Sequence, residues 1–172
     1  MDTRAPIDLH QKNQTGTKEK LQVVLLSARQ NSSLLRSAEN MITFLEANKT
    51  VPLEQIAYIT QVGRTAFSQR LAILAANAQA LKTKLLEWLD EAKSNNVDAQ
   101  SALTGVYYGN TKDKKSGAGK LIQGEAGEAY LNVIMREHDS AKLADLWVSG
   151  IEVPWLNLYR ENSITRISLP TY

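Results

Sequence analysis

The sequence predicts an α/β fold: a small three-stranded sheet with helices packed on it, followed by a C-terminal strap. Two observations carry this. Short apolar segments at Gln22 to Ala28, Gln69 to Ala75 and Thr104 to Tyr108 alternate with longer segments whose apolar residues recur at helical spacing, the pattern of a layered α/β domain. The last residues, Trp155-Leu-Asn-Leu-Tyr159 and Arg166-Ile-Ser-Leu-Pro-Thr-Tyr172, are apolar yet follow neither period and close no element that would bury them. At 172 residues the chain can bury one ordinary core without staples.

Residues 1–20 hold Pro6, Gly16 and many polar side chains without a period, the composition of a flexible leader. Val23, Val24, Leu25 and Leu26 form a short run bounded by polar residues, the pattern of a buried first strand. Asn31 or Ser32 is expected to cap the next helix by accepting from its free first-turn amides. Leu34, Leu35, Ala38, Met41, Ile42 and Leu45 lie on one face of that helix. Thr50 and Pro52 start a second helix with a stripe of Leu53, Ile56 and Ala57, and Gly63 ends it, with a positive φ expected there. Leu71 and Ile73 mark the second strand against an alanine content that favours helix. Asn77 is expected to cap a third helix, with Ala78, Leu81, Leu85, Trp88, Leu89 and Ala92 inside and Lys82, Lys84, Glu87 and Glu91 in water; Asn95 and Asn96 are expected to stop it.

Residues 109–123 form a Gly, Ser and Lys-rich loop carrying Lys112, Lys114, Lys115 and Lys120. Two more amphipathic helices are expected after it. Ala126, Ala129, Tyr130, Val133 and Ile134 mark the first; Leu143, Leu146 and Trp147 mark the second, capped by Asp139 or Ser140 and ended by Gly150. Trp88 and Trp147 fall on helical stripes and read as core, whereas Trp155 stands outside any period and reads as a pin holding the tail to the domain surface.

The chemistry the sequence excludes is informative. There is no cysteine, hence no disulfide, thiolate metal site or thiol nucleophile. Twenty basic residues against 18 acidic ones give a net charge of +2, so no global field calls for nucleic acid or an anionic membrane. Gly117-Ala-Gly-Lys-Leu121 lacks the first glycine and the final Ser or Thr of a phosphate loop. Consecutive His138, Asp139 and Ser140 cannot face one another as a catalytic triad, and His10 and His138 have no metal-ligand spacing. Glu125 with Glu128, and Glu87 with Asp90 and Glu91, read as solvated helix faces. A small enzyme using His138, or nucleic-acid binding through the Lys112 to Lys120 loop, has no convergent motif to support it. No signal peptide or membrane span is apparent, and a cytoplasmic location is expected.

Several strings occur in one order: Leu25-Leu-Ser-Ala28, the helix around Met41 to Leu45, Ala57-Tyr-Ile-Thr-Gln-Val-Gly-Arg64, Leu71 to Ala76, Gly105-Val-Tyr-Tyr-Gly-Asn110, Leu143-Ala-Asp-Leu-Trp-Val-Ser-Gly150, Trp155 to Tyr159 and Arg166 to Tyr172. As a set they resemble the acyltransferase-docking, or ketosynthase-flanking, linker region of trans-acyltransferase modular polyketide synthases. The resemblance implies that residues 21–108 correspond to the ketosynthase-to-acyltransferase linker and that residues 124–172 hold a helical segment and a strap, like the post-acyltransferase linker, crossing back over the domain. Pro154 departs from the acidic residue that often precedes this tryptophan, and the chain stops at Tyr172 before the Pro-Phe that commonly follows.

The chain has no ketosynthase cysteine, no acyltransferase Gly-x-Ser-x-Gly elbow and no carrier Asp-Ser-Leu, so the resemblance implies a non-catalytic fragment without cofactor or metal. The implied partners are a discrete acyltransferase, with Lys112, Lys114, Lys115 and Lys120 as candidate contacts, and the adjacent ketosynthase. Bracing of the ketosynthase with synthase-to-synthase contacts is the alternative role. Gly63, Trp88, Trp147, Gly150, Trp155, Leu169 and Tyr172 are the expected structural residues.

Overall fold

The computed structural model describes residues 20–63, 65–94, 103–112 and 124–159. In order these form β1 (Gln22–Ala28), α1 (Asn31–Ala47), α2 (Leu53–Val62), β2 (Gln69–Ala75), α3 (Ala78–Ser94), β3 (Val106–Asn110), α4 (Gly124–Glu137), α5 (Ser140–Val148) and a 3-10 helix (Trp155–Tyr159). Most of the leader, Lys114, Lys115, Lys120, the proposed stop at Asn95 and Asn96, and the strap with Leu169 and Tyr172 lie outside the described residues.

The strands lie in the order β1-β2-β3 and both pairings are antiparallel, with Val24 opposite Ile73 and Leu71 opposite Tyr108. Side chains alternate across a strand, so each strand feeds two cores. Val24, Leu26, Leu71, Ile73 and Ala75 join α1, α2 and α3 through Leu34, Met41, Ile56, Leu85 and Trp88. Val23, Leu25, Ala72 and Leu74 join Ile134 of α4, Leu143 and Trp147 of α5, and Val153 and Trp155 from the segment that follows α5. A sheet buried on both faces requires near-continuous apolar strands, which is why Val23 to Leu26 shows no polar alternation.

The seam between α1 and α3 also carries Lys82–Glu46 at 2.9 Å and Lys93–Glu39 at 3.0 Å. Exposed pairs of this kind contribute roughly 0–1 kcal/mol each. Burying one large apolar side chain contributes about 1.5–3 kcal/mol, so the apolar residues decide this packing.

β1 and β2 fall on the expected residues, and Asn77 caps α3 by accepting from the Ala80 amide at 2.8 Å. Asp139 caps α5 by accepting from Lys142 N–H at 3.2 Å. Other details differ from the sequence expectation. The residue preceding α1 is Gln30, with no side-chain cap, and Asn31 is already helical. β3 runs from Val106 through Asn110, later than the expected start and into the first two residues of the expected loop; Gly105, at φ +76°, precedes it with its carbonyl accepting from the Leu74 amide at 2.8 Å. Lys84 does not face water: its ammonium donates to the Leu74 carbonyl, satisfying an acceptor near the end of β2.

Helix α4 is rotated relative to its expected stripe. Gly127, Ile134 and Met135 are buried and Leu131 half-buried, while Ala126, Ala129, Tyr130 and Val133 are exposed. Both sets have helical spacing, and the packing on α5 selects between them. Trp155 is no surface pin: at 5% exposure it belongs to the second core. Gly150, at φ +105°, provides the left-handed residue after α5.

Gly63 ends α2 as expected, with its amide bonded to the Ile59 carbonyl at 3.1 Å, but its φ is −90°. Any residue can adopt that conformation, so the left-handed requirement is absent. An added Cβ would sit 3.2 Å from the Ile59 oxygen, close enough to need a small adjustment. Gly63→Val is therefore expected to lower stability by only about 1 kcal/mol, read as a small shift in the urea midpoint. A loss several times larger would mean that the carbonyl of Ile59 cannot yield.

Candidate interaction site

A cleft of about 780 Å³ opens at the end of β1. Leu25 to Arg29 form one side. Ser33, Arg36, Ser37 and Asn40, spaced along one face of α1, form another, and Phe67, Arg70, Trp147, Glu152, Val153 and Trp155 complete it. Apolar side chains line it together with Arg29, Arg36, Arg70 and Glu152.

Two side chains of α2 hold one end of the cleft. Thr60 Oγ1 accepts from the Leu25 amide at 3.1 Å and donates to the Ala57 carbonyl at 2.9 Å. Gln61 Nε2 donates to the Val23 carbonyl at 2.6 Å, and its Oε1 accepts from the Tyr159 hydroxyl at 2.5 Å. The Tyr159 ring meets Tyr58 edge-on at a centroid distance of 4.8 Å. These contacts satisfy groups on the outer edge of β1 and fasten the 3-10 helix to α2.

Arg70 organises the opposite wall. Its Nε donates to the Phe67 carbonyl and its Nη1 to the Trp147 carbonyl, each at 2.9 Å, while the guanidinium lies 5.0 Å from the centre of the Trp147 ring. A cation at the C-terminal end of α5 complements the helix dipole. Burial lowers the Arg70 pKa from its ordinary value, and Glu152 only partly opposes that shift. Arg29 sits 5.0 Å over the Phe67 ring. Arg29, Arg36 and Arg70 form no ion pair with a carboxylate among the described residues. The Trp155 indole N–H is buried and has no hydrogen-bond partner there.

Burial is the main cause that pushes the Tyr159 phenol up to about 12; its bond to Gln61 opposes the shift. The folded-state value lies above the ordinary tyrosine value of about 10, so folding favours the neutral phenol. This contribution is complete below pH ~10 and is lost as pH rises from about 10 through about 12. Tyr159→Phe is expected to flatten this part of the stability profile, measured by urea unfolding at successive alkaline pH values. An unchanged slope would remove Tyr159 as its source.

Of the four lysines expected from sequence as partner contacts, Lys112 lies among the described residues. Lys112 is exposed, with its amide on Asn110 Oδ1 at 3.1 Å, and its three companions lie outside the described residues. Trp88 sits in the first core and Trp147 and Trp155 in the second. His138 is exposed and adopts φ +53° between α4 and α5, consistent with a turn. No cluster of potential metal ligands occurs among the described residues, and no helix there is long and apolar enough to cross a membrane. Thr60, Gln61 and Arg70 were not singled out by sequence reasoning. Arg70 carried a usable signal, a cation inside a strand whose neighbours are apolar.

Residues 22–85 match the family described as CurL-like, PKS C-terminal, where PKS denotes polyketide synthase. Over 151 residues the chain is 34% identical to polyketide synthase PksM of Bacillus subtilis, covering 88% of this chain and 3% of PksM. It is 32% identical to polyketide synthase PksL of the same organism, covering 87% of this chain and again 3% of the relative. Among solved structures, the ketosynthase from module 6 of the bacillaene synthase of Bacillus subtilis 168 superposes with a TM-score of 0.77 at 31% identity, over 88% of this chain and 25% of that one. The ketosynthase from module 1 of the Bacillus amyloliquefaciens bacillaene synthase gives 0.73 at 26% identity, covering 88% and 25% respectively. The chain thus spans a small fraction of its curated relatives and about a quarter of these ketosynthase structures. It belongs to the CurL-like polyketide synthase C-terminal family, as a ketosynthase-flanking region of the trans-acyltransferase kind.

Proposed function

We propose that this chain is a non-catalytic docking and scaffold module that positions the neighbouring ketosynthase and recruits a discrete acyltransferase in the cytoplasm. The observation that supports it most is the superposition of nearly the whole chain on a quarter of solved ketosynthase chains. The sequence also lacks the nucleophile motifs that acyl transfer and condensation need. The four lysines Lys112, Lys114, Lys115 and Lys120 would complement an acidic acyltransferase patch mainly by raising the association rate. Neither cofactor nor metal has a role in this reading, and nucleic acid and membrane are not among its partners.

Surface plasmon resonance against the cognate discrete acyltransferase, with the isolated ketosynthase alongside, tests this reading. Replacing the four lysines by glutamine is expected to slow association several-fold at low salt while leaving the melting temperature unchanged. Equal rates would reject the lysine loop as the docking site. Binding to the ketosynthase alone would favour bracing, the second reading. The outward apolar face of α4, with Tyr130 49% and Val133 40% exposed, supports that reading's contacts between synthases.

A further inference from the structure

We draw no further inference here: the strongest candidate, the cleft at the end of β1 with the buried Trp155 indole N–H in its lining, carries none because nothing among the described residues shows what covers it.

Discussion

Replacing Gly109 by valine is expected to destabilise the protein by about 3 kcal/mol or more, as overpacking against backbone does when nothing flexible can yield. Gly109 lies in β3 opposite Arg70. A Cβ built there would fall 2.2 Å from the Val148 carbonyl oxygen and 2.9 Å from its carbon. The missing side chain is therefore what lets the last turn of α5 descend onto the sheet. Arg70 completes the contact by donating to the Trp147 carbonyl. A side chain at position 109 would lift α5 and open the core that holds Leu143, Trp147 and Trp155. Even Gly109→Ala carries the clashing Cβ, so it too should lower the urea midpoint clearly. Tryptophan fluorescence should shift red as Trp147 and Trp155 gain water. A Gly109→Ala protein with an unaltered midpoint would show that α5 can move at little cost.

Truncating Trp88 to alanine is expected to cost about 3–5 kcal/mol, through lost burial and the cavity left behind. Trp88 is 2% exposed and shares the first core with Leu34, Met41, Leu45 and Leu85, where α1 and α3 pack against the sheet. Total stability of a domain is typically about 5–15 kcal/mol, so this loss would place the variant near its unfolding limit. Trp88→Phe keeps much of the volume and is expected to lose markedly less. Chemical denaturation of both variants separates a cavity effect from a general intolerance at position 88. Equal losses for phenylalanine and alanine would argue against the cavity explanation.

Local physical chemistry determined much of this protein from its sequence. The apolar runs at Gln22–Ala28 and Gln69–Ala75 could be read as strands because each is bounded by polar residues and rich in large aliphatic side chains. The stripe from Leu34 to Leu45 identified the buried face of α1, and Asn77 and Asp139 announced their helix starts because an N-cap acts within one turn. The ordered strings from Leu25 onward carried the family resemblance. Tertiary structure decided what depends on distant partners. On α4, two apolar faces of equal periodicity competed, and docking on α5 chose Gly127, Ile134 and Met135. The antiparallel direction of the strands, the burial of Trp155 and the approach of Val148 to Gly109 arise between segments far apart in the chain. The cleft at β1 belongs to the same class. Thr60 and Gln61 resemble any polar helix residues until the fold sets them against Leu25 and Val23, because a hydrogen bond across that separation leaves no local period in the sequence.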